Sequence, residues 1–403
     1  MLLQAGQLLS DVGSQTTAIA FPLLVLAVTH SPAKAGAVGF ARIVPFALFA
    51  LPAGAVADRR NRKWLMIGAD AGRLLAIAAL AATILAGGAG FWLILAIAFA
   101  DGVGTVVFSA AQSGALRSVV PVTQMPAASA TVTGRRSVVI LAGPPLGGAL
   151  FGLARAIPFL VDAGSYAFST LSLLAMRTPF QQPREPDAAP VSAQIAEGLR
   201  YLWDHAFLRT CALLFGIGNF VFPGLALAIV VIGKRHGLSS GEIGLLTATF
   251  GAALLLGALL SGYSRRFFTV RTILLLELWT WTGSALFLVW PSVYVLTASV
   301  LPTALTIPST DSVVHGLRIG LTPERLIGRV ESAARNISLL VAPFGPLLAG
   351  FLLDAVSERE TVAVFAGCGL VLAVWGTLSP SIKNAPSLAA LDEVPPELDP
   401  LTG

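Results

Sequence analysis

Residues 54–63 read GAVADRRNRK, a run of small residues closed by one acid and four cations. The stretches on both sides are almost wholly apolar, and the chain as a whole carries only 12% charged residues. Charge this dense in a break between two hydrophobic runs belongs to a loop at a membrane surface. There Lys and Arg mark the cytoplasmic side.

The composition agrees. The chain has 403 residues, 55% of them hydrophobic, with a mean hydropathy of +0.80. Soluble chains carry roughly a quarter charged residues, so an integral membrane protein is expected. The net charge of +5 is spread over short breaks and forms no single basic face, so no nucleic-acid partner is expected. Cys211 and Cys368 fall far apart inside apolar runs and read as packing residues. No Lys or Arg precedes Lys34, so a cleaved signal peptide is not expected.

Apolar windows of about 20 residues give twelve spans: 3–27, 35–57, 65–87, 91–112, 128–153, 158–177, 207–232, 240–262, 271–290, 292–314, 329–354 and 360–380. All should be helices, because lipid offers no partner to unpaired backbone groups and no period-2 alternation marks a barrel. The weakest break is at Pro291. Sixteen cations fall on the side of the N terminus, five on the other, and five within spans. Both termini are therefore expected in the cytoplasm, with the chain in the inner (plasma) membrane.

The longest polar break splits the spans six and six. This gives an N-terminal bundle over 1–177, a linker over 178–206, a C-terminal bundle over 207–380 and a tail over 381–403. The linker begins rich in Pro; from Ser192 it places Ile195, Leu199 and Leu202 at helical spacing, an amphipathic helix on the cytoplasmic surface. The halves also repeat. The segment from Leu116 (LRSVVPVTQMPAASATVTGRRSVVILAGPPLGGAL) aligns with that from Leu317 at an offset of about 201, and each copy ends in a Gly/Pro cluster.

Twelve spans, a central linker and GAVADRRNRK between spans two and three resemble the major facilitator superfamily. Its signature at that loop is Gly-x-Leu-Ala-Asp-Arg-x-Gly-Arg-Lys/Arg, matched by Gly54, Ala57, Asp58, Arg59, Arg62 and Lys63. Asn61 replaces Gly, and Asn tolerates a left-handed turn. The resemblance implies two pseudo-symmetric six-helix bundles and a latch, formed by Gly54, Asp58, Arg59, Arg62 and Lys63, that meets the start of span eleven. The second copy near Arg265, Arg266 and Arg271 lacks the acid. LAGPPLGGAL in span five resembles the Gly-Pro-x-x-Gly-Gly motif of exporters through Gly143, Pro144, Gly147 and Gly148, and APFGPLLAG in span eleven is its looser counterpart. The first 180 residues are similar to the drug and siderophore exporter branch, which includes macrolide efflux and enterobactin exporter proteins.

Ionisable residues inside spans are functional candidates by default. Asp11 lies roughly 12 Å into span one and Asp101 near the middle of span four. Either, facing Arg136 or Arg135 of span five, can alternate between protonated and paired states and so couple proton entry to substrate exit. Asp162 and Arg42, near the outer ends of spans six and two, read as structural. Asp311, His315 and Arg318 on span ten, and Glu331 with Arg335 on span eleven, read as intrahelical pairs or a cytoplasmic gate. Gln15, Phe21, Asn219, Phe220 and Phe222 are expected to line a cavity for an amphiphilic ligand. No phosphate-binding loop, enzyme signature or metal cluster is present, so no cofactor and no catalysis are expected. The resulting expectation is a monomeric proton antiporter that expels drug-like small molecules by alternating access. A siderophore or metabolite exporter and a non-transporting sensor are the alternatives.

Overall fold

The computed structural model describes residues 2–119, 125–176 and 191–386. The Pro-rich start of the linker, the tail beyond 386 and the side chains of Asp58, Arg135, Arg136 and Arg265 lie outside the described residues. The chain is all-helical over this range: α1 (Leu2–Thr29), α2 (Pro32–Arg59), α3 (Arg62–Leu85), α4 (Phe91–Val119), α5 (Met125–Leu153), α6 (Ile157–Ala175), α7 (Val191–Asp204), α8 (Ala206–Arg235), α9 (Ser240–Phe267), α10 (Val270–Thr280), α11 (Leu286–Val289), α12 (Val293–Gly320), α13 (Ile327–Val341), α14 (Phe344–Ala355), α15 (Glu358–Leu378) and α16 (Pro380–Lys383). Among the described residues eleven spans are long and apolar enough to cross a bilayer, and Val138–Leu153 of α5 is a shorter apolar stretch, consistent with the twelve expected.

Local chemistry fixes the breaks. Ser31 caps α2 by accepting from the Lys34 amide, with Pro32 at the first helical position. Ser239 with Glu242 and Ser357 with Glu360 form reciprocal capping boxes at the starts of α9 and α15. Asn61 caps α3, its side chain accepting from the Lys63 and Trp64 amides at φ −64°. The expected left-handed turn is thus replaced by an extended N-cap, because the carboxamide satisfies two amides that a helix start leaves open. The break at Pro291 stands: a 3-10 segment, Trp281–Ala285, and the short α11 complete the ninth span before α12 begins.

Each crossing reverses direction, so the start of α2, the end of α5, the start of α9 and the end of α14 share the face opposite the N terminus. On that far face the halves meet backbone to backbone. A Cβ on Gly148 would strike the Ser240 carbonyl and come within 2.9 Å of the Gly244 α-carbon. One on Gly36 would strike the Pro346 carbonyl and come within 3.1 Å of the Gly350 α-carbon. The two contacts are related by the internal repeat: GPPLGG at 143–148 and GPLLAG at 345–350 play the same part, α5 against α9 and α14 against α2. The Ile140 carbonyl, which Pro144 leaves without its helical amide partner, lies 2.7 Å from where a Gly251 Cβ would be. Ser31 donates to Asp354 at 2.8 Å beside the same seam. Here one apolar core runs through both halves, from Ile19–Val25 of α1 to Leu225–Ile232 of α8 and Leu353 of α14. Nearer the N-terminal face the buried residues fall into two separate cores, one built on Met66, Phe108 and Leu173 and the other on Leu208, Leu317 and Val330.

The amphipathic segment of the linker is α7, and it lies on protein. Leu202 is fully buried in the C-terminal core, Glu197 pairs with Arg325 at 2.9 Å and with Arg329, and the Tyr201 hydroxyl donates to the Leu321 carbonyl at 2.6 Å.

Overpacking a backbone contact costs about 1–3 kcal/mol. Gly148→Ala is therefore expected to lower the thermal midpoint of the detergent-purified protein. Gly152→Ala, one helical turn on, where a Cβ meets open space, should leave it unchanged.

Candidate functional site

The N-terminal half holds a buried network of charges drawn from five helices. Arg73 on α3 donates through Nε to Asp101 Oδ1 on α4 at 2.9 Å, and Arg42 on α2 donates through Nε to Asp101 Oδ2 at 3.2 Å. The Tyr166 hydroxyl of α6 lies 3.1 Å from Asp101 Oδ1 and 2.9 Å from Ser14 Oγ of α1. Arg73 Nη2 donates to Ser14 Oγ at 3.0 Å and to Tyr166, whose ring centroid lies 4.0 Å from the guanidinium carbon. Arg42 Nη2 donates to the Ser14 carbonyl at 2.9 Å, and its guanidinium covers the Phe21 ring. Asp70 takes a hydrogen bond from Ser169 at 2.6 Å and stands 3.7 Å from Arg73 Nη1. Asp162 on α6 lies 2.8 Å from Thr17 Oγ1.

Asp70, Asp101 and Asp162 are fully buried and Arg73 nearly so. Glycines let the helices close around them. A Gly104 Cβ would overlap the Arg73 side chain, and a Gly102 Cβ would overlap the Arg42 carbonyl. Charges taken out of water are tolerable only when paired and hydrogen-bonded, and each atom of the Asp101 carboxylate meets that condition.

Asp101 therefore sits in a charge site whose described partners are Arg42 and Arg73; the expected Arg136 side chain lies outside the described residues. The physical reason is packing: α2 and α3 flank α4 and bring Arg42 and Arg73 to its carboxylate. Arg42, about 15 Å into α2, belongs to the middle of the span and not to its outer end, and it binds a carboxylate. Asp11 is half-buried on α1, close enough to Asp70 to act on it through space. Sequence reading passed over Arg73, Asp70 and Tyr166. It also passed over Glu277 of α10, buried beside Thr310 and Asp311 in the other half. Their signal was an ionisable or polar group at mid-span.

The expected cavity residues divide. Phe21 is 1% exposed, edge-on to Phe159 at 5.3 Å, so it is core in this conformation. Phe220 stacks on Phe365 and Phe222 packs edge-on to Phe250 and Trp281, both partly open. Asn219 is exposed and donates to the Phe215 carbonyl. Gln15 is half-buried against Gly143, and Gly147 meets Thr16 and Ile19, so α5 rides directly on α1.

At the 54–63 loop, Lys63 Nζ donates to the carbonyls of Met176 at 2.5 Å and Leu174 at 3.4 Å, closing the end of α6. Arg62 Nε donates to the Ala57 carbonyl at 3.3 Å, Arg59 is exposed, and a Gly54 Cβ would meet open space. These cations serve helix C-termini within their own half, where positive charge is favourable. In the C-terminal half Glu331 pairs across helices with Arg318 at 3.0 Å and His315 at 3.4 Å; the expected partner on its own helix, Arg335, is exposed. Among the described residues no cluster of three metal-ligating side chains occurs.

Removing one member of a buried pair costs about 3–5 kcal/mol, whereas a hydrogen bond to a charged group is worth about 1.5–3 kcal/mol. Asp101→Asn, which leaves two guanidiniums facing a neutral group, should lower the thermal midpoint more than Tyr166→Phe, which removes the hydroxyl shared with Asp101, Arg73 and Ser14 but leaves the charges paired.

Comparison with known proteins places this architecture. The family model for transmembrane secretion effectors of the major facilitator superfamily matches residues 2–309. The multidrug efflux pump Tap of Mycolicibacterium fortuitum is 25% identical over 403 residues, covering 95% of this chain and 96% of that protein. Macrolide efflux protein A of Streptococcus pyogenes is 22% identical over 371 residues, covering 88% and 89%. Among solved structures, a bacterial homologue of the lysosomal transporter Spinster, inward-facing and unoccupied, superposes with a TM-score of 0.73 at 15% identity, covering 95% of this chain and 96% of that one. An inward-facing bacterial homologue of ferroportin gives 0.68 at 19%, covering 93% and 97%. The chain belongs to the transmembrane secretion effector family, a multi-pass transporter family of the major facilitator superfamily.

Proposed function

We propose that this protein expels amphiphilic small molecules across the plasma membrane in exchange for protons, as a monomer with both termini in the cytoplasm. The observation that carries the reading is the asymmetry of the packing. One apolar core and two glycine contacts weld the halves on the far face, while separate cores serve them on the N-terminal face. Two bundles joined at one end and distinct at the other are built to rock about a central site. The surplus of Lys and Arg on the N-terminal side makes that side cytoplasmic, so the conformation described is closed to the outside. The efflux pumps similar to this chain along nearly its whole length support export.

In this reading the 54–63 loop is a latch that engages when the cytoplasmic side closes. The open space at Gly54 is where span eleven then docks, against Asp58, Arg59 and Arg62. Gly148 and the Pro144 carbonyl hold the outer side shut against α9 while Gly143 and Gly147 seat α5 on α1, Asp101 with Arg42 and Arg73 forms the charged heart of the coupling half, and Gln15, Asn219, Phe220 and Phe222 face the cargo. Asp11 and Arg136 extend the proton path towards the cytoplasm.

Cells stripped of their own pumps and expressing the protein should clear ethidium faster than controls, and a protonophore should abolish the difference. Gly54→Val should reach the membrane normally yet slow clearance severalfold. Clearance that ignores the protonophore would refute proton drive, and an undisturbed Gly54→Val would refute the latch.

A further inference from the structure

The buried network does not balance. Arg42 and Arg73 supply two positive charges; Asp70, Asp101 and Asp162 offer three negative ones, all at zero exposure. A standing uncompensated carboxylate inside a bilayer-embedded bundle costs several kcal/mol, so one of the three is neutral. Asp101 holds the Nε of both guanidiniums, and Asp70 has Arg73 Nη1 at 3.7 Å. Among the described residues no cation stands within ion-pair distance of Asp162.

Hydrogen bonding points the same way. Thr17 Oγ1 has a single proton and three acceptors in reach, Asp162 Oδ2 at 2.8 Å, the Ser14 carbonyl at 3.0 Å and the Gly13 carbonyl at 3.5 Å. Ser165 Oγ donates to the Asp162 carbonyl at 2.7 Å, leaving only a long 3.4 Å approach to Oδ1. Both hydroxyls have backbone carbonyls to serve, and a protonated Asp162 resolves the conflict by donating to Thr17 itself.

We propose that Asp162 holds the transported proton, and that the network gives it up in return for a lipophilic cation as cargo; this deepens the exporter reading and rests on it. The groups facing Asp162 are Thr17 from α1, Arg42 from α2, Arg73 from α3, Asp101 from α4, and Ser165 and Tyr166 from its own helix. Asp11, six residues before Thr17 on α1, stands about 9 Å further along that helix. Asp162 lies about 8 Å from the far end of α6, and its partner Thr17 about 18 Å from that of α1, so it is reached from outside only when the seam opens. Closure seals it: a Gly13 Cβ would strike Ser165 Oγ and come within 2.7 Å of Asp162 Oδ1, leaving no room for water between α1 and α6.

Release follows from the same contact. Gly143 and Gly147 tie α5 to α1 opposite Gln15 and Thr16, so any shift of α1 under cargo is felt at Gly13. The carboxyl O–H bond then breaks, the proton passes to water and leaves on the cytoplasmic side, and the carboxylate's new negative charge is matched by the arriving cation. An anionic cargo would leave two negative charges uncompensated.

The test counts protons. Tetraphenylphosphonium added to the purified transporter in weakly buffered detergent should release about one proton per bound cation. Asp162→Asn, a size-matched stand-in for the neutral acid that still donates to Thr17, should release none and bind the cation about tenfold more weakly, a loss of roughly 1.4 kcal/mol. Release by the Asn variant equal to wild type would overturn the assignment to Asp162 while leaving proton antiport intact. Wild type that binds without releasing a proton would overturn antiport and the assignment together. If the Asn variant fails to fold, Asp162→Glu serves instead: the release should persist with a displaced pH midpoint, and an unmoved midpoint would overturn the proposal.

Discussion

A guanidinium inside a bilayer-spanning bundle has no water to bind, and Arg73 meets that constraint by recruiting partners from every neighbouring helix. Asp101 comes from α4, Tyr166 from α6 and Ser14 from α1, while Asp70 lies three residues back on its own helix. Van der Waals packing holds helices in lipid with little directional preference. A charged cluster adds direction, because its atoms are satisfied in one mutual rotation of α1, α2, α3, α4 and α6. The same cluster explains the glycines around it: Gly13, Gly102 and Gly104 are the places where a methyl group would hold the helices too far apart for these bonds to form.

The rigid N-terminal half that results is joined to the other half through contacts of another kind. The seam is made of glycine, proline and carbonyl oxygens, with few side chains to lock it. Backbone contacts of this sort are close and dry yet carry no ion pair that must be broken, which suits a surface that opens in every cycle. Pro144 and Pro346 stand at repeat-related positions, and the carbonyl that Pro144 frees from its helix faces a glycine of α9. The internal repeat is therefore mechanical as well as ancestral: one motif, used twice, shuts the far face from both sides. The acid of the 54–63 loop has no counterpart in the second half.

Much of this was legible in the sequence. Apolar runs between capped breaks gave the spans, since burial in lipid demands both length and internally satisfied backbone. In GPPLGG, Gly143 and Gly147 stand four residues apart and so share one helix face, the one that packs on α1. The charge network was less legible. Asp101 was visible as an acid at mid-span, but its partners lie 28 and 59 residues away on helices whose rotation no local pattern fixes. Asp70 and Arg73, three residues apart inside span three, carried the same signal and went unread. Phe21 was misjudged for a related reason: an aromatic in a span can face cargo or core, and only the neighbouring Phe159 and Arg42 decide. Asn61 shows the limit of arguing from a family motif, since its side chain caps a helix where a left-handed turn was expected.

In the proposed cycle a proton moving down its gradient drives cargo out through a bundle that closes on one face at a time. Purified protein in sealed liposomes, with an imposed pH gradient as the sole energy source, tests this directly. Tetraphenylphosphonium is predicted to move against its own gradient towards the side from which protons leave, and to stop when the pH gradient is collapsed. Uphill movement that persists without the pH gradient, or cation flux that only ever runs downhill, would contradict it.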